Sequence, residues 1–143
     1  MARRTRWRTK EAMKVVEQAG LKALRTGAEA ILTEAIDEAP VDTGTLRRSG
    51  TVTVGGLPDG EQVYESAEAG TEMKDAFTEK IGKEKAVYIS FNTPYARRMH
   101  EDLGYTPKRG GGPKYLETPF NANKDKVLKM AETKVKKALR DAK

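Results

Sequence analysis

The stretch APVDTGTLRRSG, residues 39–50, is where one kind of local structure gives way to another. Upstream of it, apolar residues recur every three or four positions: Met13, Val16, Gly20, Leu24, Ala28, Ile31 and Ala35, with Ala12, Val15, Leu32 and Ile36 broadening the stripe. That period predicts an amphipathic helix over about 9–39. Pro40 closes it, because the residue before a proline is pushed out of the α region. Downstream, TVTV (51–54) alternates as a strand does. The stretch therefore reads as a helix-to-sheet corner. In it Asp42 or Thr43 is placed to cap the next turn, and Gly44 to allow a positive φ or a close approach. Leu46 is expected to turn inward while Arg47 and Arg48 face outward.

Working toward the N-terminus, Thr9 is the candidate N-cap, with Glu11 and Glu17 near the positive end of the helix dipole. About 30 helical residues make a rod of roughly 45 Å. A compact domain of this length has a radius of gyration near ~15 Å, so part of the rod must overhang or lie against another chain. Gly20 and Gly27 weaken the helix and mark either close packing or a bend.

Working toward the C-terminus, GGLPDG (55–60) is a dense turn signal and EQVYES (61–66) reads as a returning strand, together a β-hairpin. Residues 67–85 form a long polar stretch, either a loop or a short helix near 73–81. AVYISFN (86–92) is the strongest strand, with Val87, Ile89 and Phe91 on one face. TPYARRMHEDLG then reads as a short helix, with Thr93 as N-cap, Pro94 at its first position and Gly104 as stop. After a glycine-rich loop, residues 118–142 repeat Val127, Met130, Val135 and Leu139 under a cover of lysines, a basic helix. The expected fold is α+β in a single domain, 1–143. A long N-terminal helix and the basic C-terminal helix pack on one side of a small antiparallel sheet of three or four strands, preceded by a basic arm, 1–9.

Composition narrows the function classes. Charged residues make up 34% of the 143 and hydrophobic ones 37%, so the core is lean and large polar interfaces are expected. No apolar run is long enough to span a membrane, and the first ten residues lack the apolar core of a secretory signal. Cysteine is absent, which excludes disulfides and thiolate metal sites. The net charge of +6 is uneven: residues 1–10 carry five positive charges and no negative one, residues 124–143 eight and three, which leaves 11–123 at −4. The basic ends suit phosphate or an acidic neighbouring subunit.

Chemistry-bearing patterns are weak. The single histidine, His100, stands beside Glu101 and Asp102 on a charged helix, and neither Ser49 nor Ser90 sits in a nucleophile elbow. KRGGGPK (108–114) lacks the phosphate-loop pattern, and H-E-x-x-H is missing. No cofactor and no metal is implied. RRTRWR (3–8) interleaves one tryptophan with Arg3, Arg4, Arg6 and Arg8, which suits general contact with DNA phosphate rather than base reading.

Three segments taken together, APVDTGTLRRS, TPYARRMHEDLG and GGGPKYLETPF, resemble the neck or tail-completion family of long-tailed phages, catalogued as minor capsid proteins. The resemblance covers about 10–140. It implies a structural virion protein at the head–tail junction, not an enzyme, forming a homo-oligomeric ring, a hexamer ahead of a dodecamer. The implied neighbours are head-closure or adaptor proteins and tail-tube or tail-terminator proteins, with non-specific genomic DNA contact and no membrane. Candidate interface residues are Arg47, Arg48, Arg97, Arg98, Glu101, Lys108 and Arg109; candidate DNA contacts are Arg3, Arg4, Arg6 and Arg8. Pro40, Asp42, Thr43, Gly44, Tyr95, Gly104, Tyr115 and Leu116 are expected to build the corner, and Leu116 and Phe120 to anchor the last helix on the sheet. A DNA-associated packaging or genome-retention protein is the alternative, and a small hydrolase built on His100 a third reading. If Arg47 and Arg48 face outward, reversing both charges should leave the monomer folded and impair assembly.

Overall fold

The computed structural model describes residues 2–71, 81–105, 107 and 110–141, with side chains from Thr9 onward. The apolar stripe before the corner forms α1 (Ala2–Glu38), 37 residues and roughly 55 Å at 1.5 Å per residue. It begins earlier than the capping pattern suggests. Thr9 lies inside it, and the segment expected as a basic arm forms its first turns.

A helix this long needs something beside it, since isolated helices are marginal in water. That partner is α5 (Glu117–Asp141), the most extensive packing between elements among the described residues. Gly27 faces Val127 and Gly20 faces Val135, so the two helices run antiparallel. A Cβ on Gly27 would stand 2.4 Å from Val127 Cγ1, whereas one on Gly20 would meet Val135 Cγ2 at an ordinary 3.4 Å. The glycines thus mark close approach of two helices. α5 packs along α1, and Phe120, expected on the sheet, is 45% exposed.

The corner residues lead through a single helical turn, α2 (Thr45–Arg48), into β1 (Gly50–Val54). β1 pairs antiparallel with β2 (Val87–Phe91), with Gly50 opposite Phe91, Val52 opposite Ile89 and Val54 opposite Val87. The α+β class holds, but the sheet has two strands rather than three or four among the described residues. Val52 packs with Ala28 and Leu32 of α1, and Val87, Ile89, Phe91 and Ile36 close around them. Period 2 from the strands meets period 3.6 from the helix at this layer. Gly50 lets them touch: a Cβ there would lie 2.9 Å from Leu32 Cδ1. The alternate residues Thr51 and Thr53 are also fully buried, and their hydroxyls donate to the Ser49 and Gly56 carbonyls at 3.2 and 2.6 Å.

The expected hairpin does not form. Residues 61–66 belong to α3 (Gly60–Glu68), not to a returning strand. The physical reason is a helix start that outweighs the short alternation. Asp59 accepts from the Gln62 amide at 3.2 Å as N-cap, Glu61 sits in the first turn, and Val63 and Ala67, four apart, bury one helical face. The strand that pairs with β1 comes from much later in the chain. Residues 81–86 extend that pairing past its end: Ile81 N–H donates to Val54 O at 2.9 Å and Gly55 N–H to Ala86 O at 2.8 Å. Of the expected polar stretch 67–85, Ala67 and Glu68 therefore close α3, and the short helix near 73–81 falls almost wholly outside the described residues. The helix after β2, α4 (Ala96–Glu101), starts after Tyr95 rather than Thr93 and ends before Gly104.

Candidate functional site

The carboxyl end of α1 leaves carbonyls that no further helical turn can satisfy. A side chain of the corner itself and a distant segment take them. Arg47 donates from Nη2 to Asp37 O and from Nε to Ala39 O, both at 2.9 Å. Gly112 N–H donates to Glu38 O, between them, at 2.9 Å. Gly111, at φ +81, lies so close that a Cβ would stand 2.4 Å from Ala39 O. Gly111 and Gly112 are thus seated on the end of α1, and Pro40 after it is buried.

Arg48 works the same way one turn on. Its Nε donates to Ala67 O at the end of α3 at 2.8 Å, and its Nη1 to Thr43 O at 3.3 Å. Gly44, at φ +87, has no Cβ to meet Arg48 Nη1, which would be 2.7 Å away. Thr43 and Thr45 share a hydroxyl bond of 2.8 Å, and Leu46 is buried. The expectation that Arg47 and Arg48 face outward is therefore not met. Both guanidiniums are half-buried and donate to backbone carbonyls of their own chain. A fork of five donors on a long stem suits this better than an exposed contact. A double charge reversal at these positions acts first on the fold of the monomer.

The second half of the corner is built on Tyr115. It is buried, and its hydroxyl donates to Ala96 O at 2.7 Å. Its ring meets Phe91 and His100 edge-on, each at 5.0 Å between centroids. Burial pushes its phenol well above the usual range. Leu116 packs against the same cluster. His100 holds the start of α5: its Nε2 accepts from the Glu117 amide at 3.1 Å, which places the proton on Nδ1, 2.9 Å from Glu101 Oε1. Lys114 completes the group, bonded to Glu101 and 3.2 Å from Glu117, with its own amide on His100 O at 2.7 Å. The Lys114 ammonium and His100 hold the Glu101 carboxyl below its ordinary value, and Glu101 and Glu117 raise the pKa of Lys114. Lys114 sits at φ +57, the one non-glycine residue with positive φ among those described. Both ring nitrogens of His100 are committed to this packing.

Arg97 and Arg98 are exposed on α4, and Glu101 is exposed at its end. Tyr95 is 37% exposed and shares a depression of about 350 Å³ with Asp42, Thr43, Gly44 and Tyr105. Gly104 N–H donates to the Asp102 carboxylate at 3.0 Å. Lys108 and Arg109 lie outside the described residues, as do the side chains of Arg3, Arg4, Arg6 and Arg8. Ser49, weighed in the sequence only as a nucleophile, and Asn92 had no structural role in the sequence reading. Ser49 Oγ accepts from the Asn92 amide at 3.0 Å and donates to Leu46 O at 2.7 Å, and Asn92 Nδ2 donates back to Ser49 O at 3.0 Å, locking the start of β1 to the end of β2. A groove of about 640 Å³ between α1, β2 and α5, lined by Leu24, Ile31, Ile89, Phe120, Val127 and Leu128, was also missed. It is made by elements distant in sequence.

The three segments quoted above are thus one interlocked corner. A family model described as "Bacteriophage HK97-gp10, putative tail-component" matches residues 7–121. The chain belongs to the HK97-gp10-like family. The matched range runs from the first turns of α1 into α5, so the whole corner lies within the HK97-gp10-like region. No curated protein and no solved structure matches the chain. Membership of this family makes the protein a structural, tail-related component of a phage particle, one that contacts other phage structural proteins. Among the described residues no helix is long and apolar enough to cross a membrane.

Proposed function

We propose that the chain is a subunit of a homo-oligomeric ring that completes the tail or joins it to the head. The observation that carries this reading is the mismatch between α1 and α5, its long partner among the described residues. α1 extends roughly 18 Å beyond the described end of α5, with Met13 66% exposed and Val15 42% exposed near that point. A rod braced at one end by the corner and, among the described residues, extending past its partner at the other is shaped for contact with neighbours around a ring, where each interface joins unlike patches. Among the described residues, the exposed Arg97, Arg98 and Glu101 on α4 are the interface candidates that remain once Arg47 and Arg48 are assigned to the corner. A hexamer is the expected closure, with the DNA channel at its centre and head-closure, adaptor, tail-tube or tail-terminator proteins above and below.

Native mass measurement and negative-stain imaging of the purified full chain, alone and with tail tubes from the same phage, test this. A discrete six-fold ring, seated at the end of tubes, is the expected result. A chain that stays monomeric at high concentration and leaves tube ends bare sinks the reading. The basic start of α1 keeps one alternative in view, a DNA-associated packaging protein. That reading requires duplex DNA binding that falls steeply with salt while no ring forms.

A further inference from the structure

The overhanging start of α1 and the outer face of α3 are opposite in charge and lie at opposite ends of the molecule. Residues 1–10 carry Arg3, Arg4, Arg6, Arg8 and Lys10 with no acid. Residues 59–68 carry Asp59, Glu61, Glu65 and Glu68 with no base, and all four are exposed. Glu61, Glu65 and Glu68 follow helical spacing on the face away from the buried Val63 and Ala67. Among the described residues none of these three has a cation at ion-pair distance.

The two patches cannot meet within one chain. Arg48 ties the end of α3 to the turn after α1, so α3 sits at the carboxyl end of the rod. The basic segment is at the other end, roughly 55 Å away along a continuous helix. The register puts this end beyond the described end of α5: Gly27 facing Val127 and Gly20 facing Val135 bring Asp141 level with about Lys14. Residues 2–13 project beyond it as helix.

We propose that the projecting start of α1 in one copy docks on the Glu61, Glu65 and Glu68 face of α3 in the next. This rests on the ring reading, for which it supplies the two unlike patches of a head-to-tail interface. The unlike charges steer the encounter and fix its polarity, since a start-to-start or α3-to-α3 contact brings like charges together. Met13 and Val15 gain cover as the helix seats.

The test uses the full chain in three forms: Arg3→Glu, Arg4→Glu, Arg6→Glu and Arg8→Glu together; Glu61→Lys, Glu65→Lys and Glu68→Lys together; and all seven combined. Acidic residues in the first turns of α1 suit its dipole, and circular dichroism checks that each form folds. Sedimentation across protein concentration should show each partial reversal weakening self-association by about a hundredfold or more, with most of it regained in the combined form. Rising salt should weaken the unmodified chain. A labelled peptide of residues 1–14 should in addition crosslink to α3 of the full chain and fail to do so with the lysine form. Unchanged self-association in both partial reversals, or no recovery in the combined form, overturns the proposal. So does duplex DNA binding through residues 1–10 accompanied by self-association that ignores the arginine reversal. If a closed ring survives both reversals, the docking fails and the ring reading stands. If the peptide docks on α3 while the chain forms open filaments, the docking stands and the ring reading fails.

Discussion

Arg47 shows how a residue identified as an outward charge becomes a structural brace. Its two bonds to Asp37 O and Ala39 O finish the helix, and without them Ala39 O would lie part-buried without that donor. Arg47→Ala should therefore destabilise the fold by about 1–3 kcal/mol in chemical denaturation. Arg47→Lys should recover little, because a single ammonium cannot reproduce the fork. Arg97→Ala, at an exposed site, should stay within about 0.5 kcal/mol of the parent. Gly111 and Gly110 offer a second contrast. Both have positive φ, +81 and +96, but only Gly111 has a backbone atom within 4 Å of its missing Cβ. Gly110→Ala should cost about 1–2 kcal/mol for conformation alone, and Gly111→Ala clearly more, because Ala39 O cannot move without opening the end of α1. Glu101 makes a prediction in pH. Its folded pKa is lowered from an ordinary 4.5 by Lys114 and His100, so its contribution is complete above 4.5 and is lost as pH falls through the depressed value. The difference in Tm between the parent and Glu101→Gln should be constant near neutrality and vanish in acid. A difference that persists in acid would assign Glu101 no electrostatic part in the corner.

The elements follow their local signals unevenly. α1 and α5 were legible because their period of 3.6 runs over many turns, and β1 and β2 because β-branched and aromatic residues fill them. α3 was not, because EQVYES alternates over a short window and its cap, Asp59, lay in what read as a turn. The choice between strand and helix there was made by Val63 and Ala67 finding a buried face. Packing between α1 and α5 also separates two glycines that look alike in sequence. Gly20→Ala should stabilise by up to about 1 kcal/mol, since a Cβ there makes ordinary contact and alanine is the better helix former. Gly27→Ala should destabilise by about 1–3 kcal/mol, since its Cβ would overlap Val127. Val127→Ala added to Gly27→Ala should recover part of that loss, so that a double-mutant cycle reads a coupling of at least about 0.5 kcal/mol. Additive effects would place the two residues out of contact.

At the scale of the whole molecule, the chain is a rod clamped at one end. The clamp joins three segments: residues 39–50 hold α1 through Arg47, residues 110–115 cover the same end of α1 through Gly112, and Tyr115 ties that stretch to α4 through Ala96 O. That interlocking makes one structural unit of the three segments that carried the resemblance. The sequence by itself determined the helix-to-sheet corner, the end of α1 at that corner, the apolar face of β2, the charge asymmetry and the family. Each of these is written in a local period, a turn residue or a motif. Only the tertiary structure decided which strand pairs with β1, that Arg47 and Arg48 point inward, that His100 holds α5, and that α1 outruns its partner. The reason is that a guanidinium or an imidazole has several donors or acceptors to place, and nothing local says which distant carbonyl, amide or carboxylate will be there to meet them.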